Sequence, residues 1–453
     1  MEVIYNKNGY PLAATCTTAF IDIKQDAKKE MKSRDILSPS DPNAPYVMWN
    51  NYRVLSWGRN NDFPHLADKV IGETSVLNTG LKFLRQLTLG QGLFPCSVTG
   101  YDDSGNEQLS PVSDKDVVSL LNGRMVRRYT EKVSRDYFKF GVGFCLLLPN
   151  VNGRIIGLQP VNCKSVRVTV PDEQGRQFAI VSAGWPNAVG INGDKPVVYD
   201  LLLDYDPELH LDILKQNGRL KKPVMFAVRD TWSNDDNYSE PVWMSAYRLG
   251  WIDIAHLVPK FLKHAYENQV TWKWHVQIPY SYWENRFPSD DERYDTPDKR
   301  KAAIDIAMKM IEDNLCGVEN AEKPLITHYS TNEMTGKAEE QWDIKPLDNR
   351  YKDGENLVTS AAANSEILFS LMVNPNVFGA GMPGGSYAGN QGGSNIREAF
   401  LVNIANAWID RQTFLDPVLL LMRELGFADI EIRYRNTVLV TLDKGSGTKK
   451  TLS

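Results

Sequence analysis

At 453 residues the chain has the length of about three domains. Its 42% hydrophobic and 24% charged residues belong to a globular protein, and no apolar run approaches the roughly 18 residues of a membrane span. The net charge of −5 excludes a protein that grips nucleic acid over its whole surface, which needs a basic excess. Cysteines at 16, 96, 145, 163 and 316 are odd in number and form no CxxC, against a disulfide framework or a zinc ribbon. The opening Met1-Glu2-Val3-Ile4-Tyr5 has neither the basic flank nor the apolar core of a signal peptide.

Residues 1–45 read as a weakly structured arm ending in a breaker cluster, Ser38 to Pro45. From 46 to 238 the pattern is mixed. Asp62 can cap a helix with Pro64 near its start, and a second helix spans about 75–89, stopped by Gly90-Gln91-Gly92. Residues 114–140 have the period of one long helix with a basic face, Arg124, Arg127, Arg128, Lys132 and Arg135. That face either meets DNA or an acidic partner or is solvated and paired with Asp116, Glu131 and Asp136, the plainer reading. Short apolar runs at 143–148, 154–158, 165–170, 178–181, 197–203 and 224–228, separated by Gly, Pro and Asn, are strands. Alternation of Val166, Val168 and Val170 with Arg167 and Thr169 predicts one wet face.

A long helix is predicted over 239–270, with Pro241 in its first turn and a bend at Pro259. Trp243, Tyr247, Ile254 and Phe261 form one apolar stripe, and Trp251, Ile252 and Val258 extend it round the circumference. Such a helix is buried on more than one face. Residues 271–350 form a small α/β module: strands at 272–278, 323–329 and 341–347, and an amphipathic helix over 297–315. Aromatic Trp274, Tyr280, Tyr282, Trp283 and Phe287 crowd its entry, followed by basic Arg293, Lys299, Arg300 and Lys301.

The most informative stretch is 353–426. A helix carrying Leu357, Ala361, Ile367, Leu368, Leu371 and Met372 ends at Val373-Asn374-Pro375, because a residue before proline leaves the α region. Residues 379–393 are almost half glycine. Ordering them costs more backbone entropy than ordering other residues, so the loop is read as functional. Asn395 and Glu398 have capping-box spacing and open a single helix of about 30 residues, kinked at Pro417 and stopped at Gly426. Strands at 430–434 and 438–442 and a basic tail complete the chain.

Residues 367–378, the glycine loop and Gly393-Ser394-Asn395-Ile396-Arg397-Glu398-Ala399-Phe400 resemble the second stem helix, tunnel loop and wing helix of tailed-bacteriophage portal proteins. The order of elements over 46–426 is similar too: wing 46–238, stem helix 239–270, clip 271–350, stem helix 351–374, tunnel loop 375–394, wing helix 395–426 and a short crown at 427–453. The fold class expected is therefore α+β and portal-like.

The resemblance implies a non-enzymatic ring, usually of twelve subunits, at a capsid vertex of a virion. It implies no cofactor and no metal. Double-stranded DNA is packaged and ejected through it, driven by a terminase whose large subunit docks there before a head–tail adaptor; the major capsid protein is the further partner. On this reading Gly379, Gly381, Met382, Gly384, Gly385, Tyr387, Asn390 and Gln391 face DNA. Trp274, Tyr280, Trp283, Arg293, Lys299 and Arg300 dock partners. Trp243, Tyr247, Ile254, Phe261, Arg397 and Arg411 pack subunits together.

The rival classes are a glycan-binding tail or adhesin protein and a carbohydrate-active enzyme, suggested by eleven tryptophans and by acidic pairs at Asp235-Asp236 and Asp290-Asp291-Glu292. Both acidic groups sit in loop-like sequence, where solvated charge is the simpler reading. Gly379 to Gly384 matches GxGxxG literally but follows a helix rather than a strand, which a dinucleotide site does not allow. His256 and His264 lie eight apart, about 80° and 12 Å on a helix, too far to share a metal.

Overall fold

A computed structural model describes residues 2–5, 11–15, 46–103, 105, 107–186, 195–203, 205–232, 237–268, 274–278, 280–316, 330–331, 338–339, 343–346, 353–374 and 393–436. It divides into two compact units, Met1–Met31 with Pro259–Asp353, and Lys32–Val258 with Gly354–Ser453.

The elements run in chain order. Strands β1 (Glu2–Tyr5) and β2 (Pro11–Thr15) pair antiparallel. The short hairpin β3 (Val47–Trp49) and β4 (Tyr52–Val54) precedes helices α1 (Phe63–Glu73) and α2 (Ser75–Leu89). Next come β5 (Leu93–Tyr101), β6 (Glu107–Pro111), α3 (Lys115–Asn122) and α4 (Arg124–Phe140). The β-rich stretch holds β7 (Val142–Pro149), β8 (Ile155–Val161), β9 (Val166–Val168), β10 (Gln177–Val181) and β11 (Val197–Leu201). Helix α5 (Pro207–Gln216), β12 (Val224–Arg229), α6 (Met244–Arg248) and α7 (Trp251–Asn268) follow.

Then come β13 (Trp274–Gln277), α8 (Tyr280–Arg286), α9 (Pro297–Cys316), β14 (Ser330–Thr331), β15 (Ala338–Glu339) and β16 (Asp343–Pro346). Helices α10 (Asp353–Ser370), α11 (Gly393–Asn406) and α12 (Trp408–Leu425) and strand β17 (Glu431–Tyr434) close the described chain.

The larger unit is built on a six-stranded sheet in the order β8-β7-β12-β11-β10-β9, antiparallel except for the β11–β12 pair. Its adjacent strands β7 and β12 are buried almost throughout, as strands covered on both faces must be. Helix α4 lays Val126, Tyr129, Val133, Tyr137 and Phe140 into the core. The Tyr129 hydroxyl donates to the carbonyl of Phe414 in α12 at 3.0 Å. Gly141 turns the chain from α4 into β7 with φ 83°, and a Cβ there would lie 2.1 Å from the Ser239 carbonyl, so only glycine fits. A second sheet, β17-β5-β6, pairs residues 431–434 with the strand that follows α2.

In the smaller unit β13 pairs with β16 antiparallel. Trp283, Phe287 and Ile304 form a compact cluster, with Tyr282, Tyr294 and Ile311 packed around it.

The fold class is the α+β one expected, and α2 and most strands fall where predicted. Five expectations need correction. The long helix at 114–140 is two helices, because Gly123 is extended (ψ 156°) and ends α3 while starting α4. The helix at 239–270 is α6 and α7, broken where Gly250 turns left-handed with φ 81°. The helix at 395–426 is α11 and α12, broken at Ala407 and continuous through Pro417; Asn395 lies inside α11 rather than capping it.

The fourth correction concerns Arg167 and Thr169, which are buried rather than wet. Arg167 lies between the rings of Trp57 and Trp185, 5.6 and 5.4 Å from their centroids. It donates to the Asn61 side chain, to the Asn61 carbonyl at 2.7 Å and to the Val166 carbonyl at 2.7 Å. The fifth is the arm and crown. Part of the arm is the β1–β2 hairpin, and residues 431–434 join the β5–β6 sheet, a hairpin the sequence reading missed because Pro95 disguises the first strand. The strands expected at 323–329 and 438–442 lie outside the described residues.

Candidate functional site

The glycine stretch leaves helix α10 and returns at α11, so the two roots of that stretch are fixed by these helices. Helix α10 stops in a Schellman turn. Val373 N–H donates to Leu368 carbonyl at 3.0 Å, and Met372 N–H donates to Phe369 carbonyl at 2.9 Å. Met372 occupies the left-handed position that glycine normally takes, with φ 56°. Buried Val373 and Leu368 supply the apolar contact of that motif. The turn thus ends the helix before the Asn374-Pro375 signal acts. Gly80 of α2 lets this end come close: a Cβ at Gly80 would lie 2.4 Å from Leu371 Cδ1.

Between the end of α10 and helix α11 lies a cleft of about 440 Å³, lined by Met372, Asn374, Glu398, Val402, Asn403 and Asn406. Met372 and Val402 are 67% and 58% exposed, so the rim offers apolar surface to a partner. Asn403 is only 5% exposed, and its Nδ2 has no acceptor among the described residues. Arg397 likewise has a buried Nε without a partner there. A buried donor left unpaired costs about 1–3 kcal/mol. Among the described lining residues Glu398 is the one titratable group, and no acid–base pair is formed among them. Its chemistry is hydrogen bonding and apolar contact. Sequence reasoning missed Asn403 and Asn406; the signal available was amides interrupting an apolar helical period.

Solved structures match this chain over most of its length. A chain in a structure titled virion of native gene transfer agent particle is 16% identical, with a TM-score of 0.54, covering 84% of this chain and 85% of that one. A chain from the neck of the empty particle, computed with C6 symmetry, is 17% identical, with a TM-score of 0.52 over 84% and 86%. One from the neck of the native particle, computed with C12 symmetry, is 16% identical, with a TM-score of 0.51 over 85% of each. The chain has the fold of a phage-like particle's neck component. No family model and no curated protein matches it.

Within this neck-type fold the predicted site residues separate into groups. Gly379, Gly381, Met382, Gly384, Gly385, Tyr387, Asn390 and Gln391 lie outside the described residues. Trp243 and Tyr247, expected between subunits, are instead in the chain's own core. Trp243 Nε1 donates to the Lys139 carbonyl at 3.1 Å, and the two rings meet edge to face at 6.3 Å. Ile254 is half-buried, and Phe261 is 41% exposed.

Arg411, expected to pair across subunits, is buried and caps α2. Its Nε donates to the Thr88 carbonyl at 2.9 Å and a terminal nitrogen donates to Leu87 at 3.2 Å, while the guanidinium stacks over Tyr434. A cation at a helix C-terminus satisfies carbonyls that have no partner in the helix.

In the smaller unit Trp283 and Arg300, expected on a docking surface, are also core. Trp283 stacks on Phe287, and Arg300 donates to the Tyr294 carbonyl at 2.6 Å. Arg293 and Lys299 are exposed and held by Asp291 and Asp295 at 2.7 and 2.8 Å. The side chains of Trp274 and Tyr280 lie outside what is described.

The acidic loop that suggested an enzyme is accounted for locally: the Arg293 fork holds Asp291 down to about 2, so it is a permanent carboxylate and no proton donor. His256 is buried, with Nε2 2.6 Å from the Thr74 hydroxyl. That hydroxyl donates to the Val70 carbonyl, so it accepts from His256. Among the described residues no group of three or more His, Cys, Asp or Glu is placed to hold a metal, and no helix is long and apolar enough to cross a membrane.

Proposed function

We propose that the chain is a portal-type head–tail connector subunit of a phage-like virion. It closes into a homo-oligomeric ring, of twelve subunits on the simplest reading, through which double-stranded DNA is packaged and ejected. The observation that carries this is the neck-type fold shared over 84–85% of the chain, including with a neck reconstruction of twelvefold symmetry. The cleft supports it: exposed Met372 and Val402 and the unpaired Asn403 amide suit a surface completed by a neighbouring subunit.

On this reading α7 and α10 are the stem helices, and residues 375–392 narrow the channel. Met382 and Tyr387 are the side chains nearest the duplex, and Asn390 and Gln391 touch phosphate without fixed charge. The sequence carries no P-loop, so the work of packaging comes from the terminase large subunit. Exposed Arg293 and Lys299, with Trp274 and Tyr280, dock it and later the adaptor, and the major capsid protein surrounds the ring. The chain itself catalyses no reaction.

Deleting residues 381–391 tests this. The proposal expects rings of normal size that fail to package or to retain DNA. Normal packaging by the deletion variant would overturn the assignment of the loop.

A further inference from the structure

One feature of the larger unit is absorbed by neither the channel nor the cleft. Along α4, Arg124, Arg127, Arg128 and Lys132 are all exposed. Their spacing of three, four and eight residues puts them on one face over about 12 Å. Several surface cations elsewhere in the same unit have carboxylates close by: Arg176 with Asp172 at 2.7 Å, Arg219 with Asp200 at 2.6 Å, Lys215 with Glu424 at 2.6 Å and Arg423 with Asp212 at 2.8 Å. On α4 the pairing expected from the sequence is present at Arg135, which meets Asp136 at 2.7 Å, and thins out along the rest of the face. Arg128 reaches Glu131 only at 4.0 Å, and the side chains of Arg124, Arg127 and Lys132 make no ion pair or hydrogen bond among the described residues. A chain with 56 acidic and 51 basic residues has carboxylates to spare, yet leaves this run open.

Helix α4 itself carries none of the exposed apolar anchors a protein interface uses. No large hydrophobic residue between Tyr101 and Val151 is substantially exposed among the described ones, whereas protein interfaces centre on buried aromatic and aliphatic groups. Three guanidiniums and an ammonium at helical spacing, with no apolar centre, match a row of phosphates.

We propose that the exposed face of α4 binds the phosphate backbone of duplex DNA without sequence preference, at a second contact separate from the glycine loop. This does not rest on the ring reading, since one chain carries the whole face. The net charge of −5 opposes it at long range, so binding is weak and lost as salt rises.

The test is fluorescence anisotropy of a labelled random-sequence duplex with the full chain across a salt series. Four phosphate contacts give a log–log slope between about −3 and −4. The variant R124Q/R127Q/R128Q should lose at least tenfold in affinity at low salt, with the slope shallower by about three units. The exposed but paired R176Q should bind like the parent. Circular dichroism of each variant separates lost binding from lost fold. A triple variant that binds like the parent, an equal loss in R176Q, or a parent that binds polyglutamate but not DNA would overturn the proposal, the last pointing to an acidic protein.

Discussion

Asp410 shows how strongly one side chain can feel its surroundings. Burial, with the nearby Asp230 carboxylate adding to it, pushes its carboxyl up to about 6, although Tyr137 donates a hydrogen bond to it at 2.8 Å. The folded form therefore holds this proton more tightly than the unfolded chain. Its contribution to stability is present in acid and lost as pH rises through about 6. Asp410→Asn keeps an acceptor for Tyr137 and removes the buried charge. It should stabilise the protein by about 2 kcal/mol at pH 7.5, with the gain vanishing below pH 4, read from thermal melts across pH.

At the same scale, Arg411→Met should destabilise by about 2–3 kcal/mol, because the carbonyls at the end of α2 lose a charged donor in a buried place. A loss below half a kcal/mol would mean that Arg411 is not engaged as described. Met372→Gly should stabilise by about 1 kcal/mol by relieving a left-handed methionine. Arg167 carries the lesson about sequence at this scale. Alternation along β9 marks which residues share a face, but a cage of two indoles and Asn61, all distant in sequence, decides that this face is dry.

At the scale of elements, helical period and strand alternation located most of the structure, and the breaks escaped. Gly123, Gly250 and Ala407 each interrupt a helix whose apolar spacing continues on the far side, and at Gly123 and Gly250 both halves bury apolar residues in one core. Periodicity reports burial, and a turn that preserves burial leaves it nearly unchanged.

Gly250 gives this a sign. In an unbroken helix, Gly250→Ala would stabilise by about 1 kcal/mol through helix propensity. With φ at 81° and nothing within 4 Å of an added Cβ, the substitution should instead destabilise by about 1 kcal/mol from backbone strain alone. Thermal unfolding of the variant distinguishes the two. The cleft was less legible than the helices, since it depends on which face of α11 meets the end of α10. Its Asn403 looks like an ordinary polar interruption until the fold buries it.

For the whole molecule, the order of elements carried most of the information: helices, a mixed sheet, a long helix, a small α/β insertion, then helix, glycine stretch and helix. That order was readable without any relative of recognisable sequence, and the neck chains that share the fold do so at 16–17% identity. Individual interface residues were poorly readable, because Trp243, Tyr247, Trp283, Arg300 and Arg411 have the composition of an interface and the burial of a core. Aromatic and arginine side chains serve both, and only the fold decides which.

The central claim is that this chain works as a ring. Its most direct test is the mass and symmetry of the purified full-length protein by native mass spectrometry and particle imaging. The account predicts a closed ring with a central hole, about 610 kDa for twelve copies of the 51.2 kDa chain. A species that stays a monomer or dimer at every concentration, and in extracts of assembled particles, would contradict it.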